Sequence, residues 1–175
     1  MKVNYLLTLI LSLSIFTIPV TGQNVKDFKL KSVTNNMQFR LRDTRGKYVA
    51  LHFLLKTECP VCIRHTREYL KNKERLPNVI QVFIKPDTKK EIQEWSNSLK
   101  NKEFDEVTIY RDPGAKLAKQ LNIPDGYEFH NQVVHYPALV LINPDGKEVF
   151  RYIGKNNRDR YSFEQMESKI QVLSK

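Results

Sequence analysis

Cys59 and Cys62 are the only two cysteines of the chain, and they stand as C-P-V-C between an apolar run, YVALHFLL (48–55), and IRHTREYLKNKERL (63–76), which has helical character. Cys59 falls at the expected N-cap of that helix. Pro60 takes the first helical position, where its missing N–H costs nothing and its fixed φ suits the helix. A thiolate at Cys59 faces the positive end of the helix dipole and several unpaired N–H groups, which favour the anion and lower its pKa. Cys62 follows one turn later on the inner side, within reach for a disulfide. This is the chemistry of a dithiol–disulfide switch. Two other uses compete with it. A structural staple is weaker, because two intervening residues close a very small loop and such loops restrain the unfolded chain least. A structural zinc site needs two more ligands, and the chain holds no second cysteine pair.

The elements that must hold the pair are legible around it. Residues 48–55 are nearly continuous hydrophobic sequence, as expected of a central strand covered on both faces, and His52 within it reads as a hydrogen-bonded core residue. The helix from Pro60 places Cys62, Thr66, Tyr69 and Leu70 on one face and ends before Pro77. A strand at 79–84 follows. Thr88-x-x-Glu91 is a capping box opening a helix with Ile92, Trp95 and Leu99 inside. A short strand at 107–110 leads to Asp112-Pro113, which caps a helix burying Leu117, Ala118 and Leu121. Residues 124–136 (PDGYEFHNQVVHY) read as a long loop, with Glu128, His130 and His135, of the kind that shapes access to a site. Strands at 138–142 and 148–153 around the turn 143–146 form a hairpin. Ser162-x-x-Gln165 caps a last helix with Phe163, Met166, Ile170 and Leu173 on one stripe.

A strand ending in C-P-x-C at a helix start, with HYPALVLINPDGKEVFRYIG (135–154) far downstream, resembles the redoxin branch of the thioredoxin fold. That branch holds TlpA-like thiol oxidoreductases and peroxiredoxin-like proteins of the AhpC/TSA kind. The likeness runs from about residue 28 to the end of the chain and includes DPGAKLAKQLNIP (112–124). It implies an α/β thioredoxin-like fold: a central mixed β-sheet flanked by helices, with an extra N-terminal hairpin at 24–47 covering one end of the sheet. It implies a cis-proline at Pro137 lying against the cysteines. Cys59, Cys62 and Pro137 would be the catalytic set, with Tyr136, Pro60 and Val61 meeting the substrate. Thioredoxins carry a buried carboxylate six residues before the first cysteine and a tryptophan just before it; here Phe53 and Glu58 stand there. Glu58 should oppose the dipole at Cys59, Lys56 should offset it, and His135 is a third tuning candidate. Glu58 and Glu128 are candidates for moving protons.

The first 22 residues hold one positive charge, Lys2, then an apolar run to Val20 and small residues before Gln23. They read as a signal peptide, with a retained membrane anchor as the alternative. Residues 23–175 then form one domain, exported to a periplasmic or extracellular compartment. The net charge of +10 comes from scattered Lys and Arg rather than from a stripe interleaved with aromatics, so no nucleic-acid partner is expected.

Three functions fit these residues. The first is a monomeric thiol–disulfide oxidoreductase acting on protein thiols and disulfides. It needs an upstream electron donor or acceptor and no cofactor or metal, and meets a membrane only through its signal peptide. Cys59 would be the nucleophile and Cys62 the resolver. The second is a thiol peroxidase. Against it, the threonine that peroxiredoxins place three residues before the cysteine is Lys56 relative to Cys59 and Cys59 relative to Cys62, and no arginine stands at 135–136. The third is a copper carrier using both thiolates and His135, although such carriers generally space their cysteines C-x-x-x-C.

Overall fold

The computed structural model describes residues 22–56, 59–99, 104, 106–129 and 132–174, so positions 1–21 of the expected signal peptide lie outside the described residues. The sheet order explains where the cysteines sit. Strands β1 (Lys29–Ser32), β2 (Gln38–Arg40), β3 (Tyr48–Phe53), β4 (Val79–Lys85) and β5 (Ile109–Arg111) combine with β8 (Ala138–Ile142) and β9 (Glu148–Ile153) in the order β2-β1-β5-β4-β3-β8-β9. Strand β3 runs parallel to β4 and antiparallel to β8, which places it in the interior of the sheet. Its residues from Val49 to Phe53 are all buried, as an apolar run with no polar alternation requires. At its carboxyl end Phe53 pairs with Ile84 on one side and Ala138 on the other. The chain emerging from β3 therefore lies between the end of β4 and the start of β8, the position at which α/β sheets build their sites.

The N-terminal hairpin does not cover the end of the sheet. It extends the edge, β1 pairing antiparallel with both β2 and β5. Residues 124–136 are likewise more ordered than a loop: β6 (Asp125–Phe129) and β7 (Gln132–His135) form a separate two-stranded antiparallel sheet. The side chains of Glu128 and its neighbours in this hairpin, and all of His130, lie outside the described set.

Among the described residues four α-helices flank the sheet: α1 (Pro60–Lys71), α2 (Lys89–Asn97), α3 (Lys116–Gln120) and α4 (Phe163–Leu173). The capping boxes at Thr88/Glu91 and Ser162/Gln165 form reciprocally, each satisfying N–H groups that the first turn leaves unpaired. Asp112 accepts from the backbone N–H of Leu117 and of Ala118. Alternation along the strands divides the core in two. Ala50, Leu54, Cys59, Cys62, Tyr69, Trp95 and Phe163 belong to one half, and Leu51, Phe53, Val82, Leu117 and Val140 to the other.

Candidate active site

Pro60 opens α1, and the Cys59 sulfur accepts a hydrogen bond from the Cys62 N–H at 3.1 Å, the N-cap interaction that the C-P-x-C spacing requires. The two sulfurs are joined as a disulfide across a Cα–Cα distance of 5.1 Å. Cys59 keeps 7% of its surface exposed and Cys62 none, so an incoming partner meets Cys59. Beside Cys59 lies an open groove of about 330 Å³, lined by Pro60, Ile63, Glu91, Glu94, Trp95 and Ser98. Of the expected substrate contacts, Pro60 is in this groove. Val61 packs half-buried against the first core, and Tyr136 donates its N–H to the Pro124 carbonyl beside the β6–β7 hairpin.

The inner stripe of α1 is Cys62, His65, Thr66 and Tyr69, with Leu70 only half-buried. His52 stands in the core as expected, and its partners are specific. Its Nδ1 lies 3.0 Å from Nε2 of His65, and its Nε2 lies 2.8 Å from Oε1 of Gln81. This pair fastens α1 to β3. Burial pushes His52 down to about 4, the Gln81 contact acting weakly the other way. Burial also holds His65 well below its ordinary value, helped by the charge of His52 and Arg160.

Arg160 is the group that reading the sequence missed. It comes from residues 154–162 between β9 and α4, and its Nη2 donates to both sulfurs, at 3.5 Å to Cys59 and 3.3 Å to Cys62. The segment is pinned at several points. Gly154 donates its N–H to the Pro137 carbonyl at 2.8 Å, and a Cβ at Gly154 would stand 2.7 Å from Pro137 Cγ, so this approach requires glycine. Asp159 accepts from the Tyr152 hydroxyl (2.7 Å) and the Lys155 N–H (2.9 Å). The Tyr69 hydroxyl lies 3.0 Å from the Tyr161 carbonyl and 2.9 Å from that of Ser162. The Glu68 carboxylate accepts from the Phe163 N–H at 2.8 Å. Apart from the internal Asp159–Lys155 bond, these anchors tie the segment to β9, to α1 and to Pro137 just before β8, so the guanidinium is held at the sulfurs by the fold.

Lys85, the last residue of β4, lies beneath the segment entering α1. It is fully buried, donates to the Leu55 carbonyl at 2.6 Å, pairs with the fully buried Asp87 at 3.3 Å and sits 4.6 Å from the centre of the Trp95 ring. Burial lowers its pKa and Asp87 opposes that shift. Position 53 holds phenylalanine where thioredoxins place their carboxylate; among the described residues, buried polar groups near the pair include His65 and Thr66 on α1, His52 and this Lys85–Asp87 couple.

The other expected tuning residues fall elsewhere. Glu58, with Thr57, lies outside the described residues. Lys56 stands close enough to Glu91 of α2 to help lower its carboxyl pKa, after the larger effect of Glu91's hydrogen bonds to Thr88. His135 is buried edge-on against Phe53, in the other half of the core from the sulfurs, with Nδ1 2.7 Å from the Tyr136 carbonyl. Burial lowers its pKa as well. Pro137 is buried and shares a small cavity with His65 and Arg160. The Tyr136–Pro137 bond, however, is trans, as is every peptide bond among the described residues, where a cis bond was expected. Among the described residues no three His, Cys, Asp or Glu side chains are grouped to hold a metal ion.

The three buried histidines fix a pH dependence. Each has a folded-state pKa below its unfolded value, so the unfolded chain binds more protons as pH falls through about 6.5. Stability present above pH 6.5 should therefore drain away toward pH 5. Each histidine contributes a slope of up to about 1.4 kcal/mol per pH unit. Urea unfolding at several pH values between 7 and 5 checks this, and a flat profile would contradict it.

A disulfide-forming pair at the start of α1, on a mixed sheet with helices on both faces, defines an oxidoreductase of the thioredoxin fold. The sequence profile of the AhpC/TSA family matches residues 21–149, and the chain belongs to that family. None of the curated proteins matches it by sequence. Among solved structures it is similar to the reduced 2-Cys peroxiredoxin of Plasmodium vivax (20% identity, TM-score 0.70, covering 89% of this chain and 96% of that one). It is also similar to a cysteine-to-serine mutant of Xylella fastidiosa PrxQ (14%, 0.72, 89% and 97%) and to Enterococcus faecalis AhpC (16%, 0.73, 90% and 93%). At these identities the likeness is one of fold.

Proposed function

We propose that this protein is an exported thiol–disulfide oxidoreductase that exchanges disulfides with partner proteins, as a monomer, in the periplasmic or extracellular space. The observation that carries the reading is the Cys59–Cys62 disulfide with Arg160 donating to both sulfurs. In the reducing direction the Cys59 thiolate attacks one sulfur of a partner disulfide, and the other partner sulfur leaves as a thiolate. Cys62 then attacks Cys59; the mixed disulfide breaks, the second partner cysteine leaves with its electron pair, and the internal disulfide forms. Two electrons have passed from the pair to the partner, and an upstream thiol donor restores them. The reverse sequence oxidises a partner dithiol. Arg160 stabilises whichever sulfur carries the charge, because a hydrogen bond to an ionised group is about twice as strong as a neutral one. Export rests on the apolar N-terminal run with its small residues before Gln23.

Membership of the AhpC/TSA family favours a second reading, a thiol peroxidase. Arg160 brings a cation to the sulfurs, but from beyond the matched segment, and position 56 is lysine where that chemistry uses threonine. Stopped-flow mixing of reduced protein with hydrogen peroxide and, separately, with an oxidised peptide disulfide decides between them. The expected result is rapid exchange with the disulfide and a peroxide rate like that of an ordinary thiolate. A peroxide rate orders of magnitude faster, and lost in Cys59→Ser, would overturn the assignment.

A further inference from the structure

Disulfide formation requires Cys62 to lose a proton while fully buried, and position 53 offers it no carboxylate. His65 is one helical turn away on the same face of α1, at the i,i+3 spacing that brings side chains together. It is 6% exposed. With the Gln81 amide placing Oε1 toward His52 and leaving its own Nε2 unpaired, Nε2 of His52 carries a proton; Nδ1 of neutral His52 is then an acceptor, and Nε2–H of His65 donates to it. That leaves Nδ1 of His65 as a lone pair, buried and without a hydrogen-bond partner. Buried polar atoms without partners are rare, and one beside a redox centre calls for an explanation. His65 also lines a small, partly open cavity of about 10 Å³, together with Pro137, Tyr152, Asp159, Arg160 and Tyr161. That is about the room one water molecule needs. Arg160, on the wall of the same cavity, is the residue that donates to the Cys62 sulfur.

We propose that Nδ1 of His65 accepts the Cys62 proton, directly or across one water, as Cys62 attacks the mixed disulfide at Cys59. The inference rests on the exchange reaction proposed above. The Cys62 S–H bond breaks and its proton passes to Nδ1. The thiolate so formed bonds to the Cys59 sulfur, and the bond from Cys59 to the partner sulfur breaks, its electron pair leaving on the partner. His52 shares the charge through the Nε2 contact. In the reverse direction His65 returns the proton to Cys62. The titratable and charged groups around His65 are His52 from β3, Tyr69 on α1 itself, Tyr152 from β9, and Asp159, Arg160 and Tyr161 from the segment before α4; of these, His52 and Arg160 bear on its titration. Burial, His52 and Arg160 keep the imidazole neutral, ready to accept, while the pair is oxidised. A thiolate at Cys62 acts in the opposite sense, so the two titrations are coupled.

Reduced full-length protein mixed with the aromatic disulfide dithionitrobenzoate separates the steps. Attack by Cys59 releases one coloured thiolate, and resolution by Cys62 releases the second. In His65→Gln the ratio of the second rate to the first should fall about 10²-fold at neutral pH, the range for loss of a positioned base. The deficit should close as pH rises through the ionisation of Cys62 itself. His65→Asn, which leaves polar atoms in the space but takes up no proton, should behave the same way. An unchanged ratio at every pH, or equal slowing of both releases, overturns the proposal. Release of a single thiolate by the wild-type protein instead overturns the exchange reading, whatever His65 does.

Discussion

Cys62→Ala is expected to convert the protein into a covalent trap. Cys59, at the helix start and with its edge exposed, still attacks a partner disulfide, but nothing buried behind it can release the product. Mixed disulfides should accumulate until nearly all protein is captured, a loss of turnover rather than a slowing. Cys59→Ala should trap nothing, because Cys62 has no exposed surface. Non-reducing gels of either variant mixed with an oxidised peptide read this directly, and the same trap used in cells would identify the partners and their compartment. Trapping by Cys59→Ala instead would reverse the roles of nucleophile and resolver.

The second large effect concerns Lys85. Its ammonium and the Asp87 carboxylate are both fully buried, and Lys85 also holds the Leu55 carbonyl at the start of the segment entering the cysteines. Removing one member of such a pair leaves a charge in the interior with its main counter-charge gone. Lys85→Met should therefore lower the unfolding free energy by about 3–5 kcal/mol. Adding Asp87→Asn should recover a large part of that loss, because the two sites are coupled. Urea unfolding with an unchanged denaturant slope measures it. A loss under about 1 kcal/mol would mean that the pair is not what keeps this corner folded.

What the sequence shows and hides has physical reasons at particular residues. The caps at Thr88, Ser162 and Asp112 depend on neighbours a few positions away, and the C-P-x-C spacing announces its own helix start. Lys85 ends an apolar strand, where a lysine ordinarily points to solvent; only the fold brings Asp87, Trp95 and the Leu55 carbonyl around it. His65 was within reach of a sequence argument, because it is three residues after Cys62. Arg64 and Arg67 on either side make that stretch read as a polar face. Arg160 left no local signal, standing 101 residues from Cys59 in a segment without periodicity. The β6–β7 hairpin was hidden behind turn-like Pro-Asp-Gly and Asn residues, and the trans bond at Pro137 departs from what the family resemblance implied.

Arg160 ties this account together, since its guanidinium reaches both sulfurs from outside the motif. A redox titration of the full-length protein in glutathione or dithiothreitol buffers, with thiol counting, tests the central claim most directly. The wild-type protein should pass through one two-electron transition in which two thiols, Cys59 and Cys62, interconvert with one disulfide. In Arg160→Met the same transition should lie at a more negative potential, by up to about 60 mV. A charge-assisted hydrogen bond contributes about 1.5–3 kcal/mol, and for a two-electron couple 30 mV corresponds to about 1.4 kcal/mol. Two thiols that never interconvert with a disulfide in these buffers, or a transition that Arg160→Met leaves in place, would contradict the account.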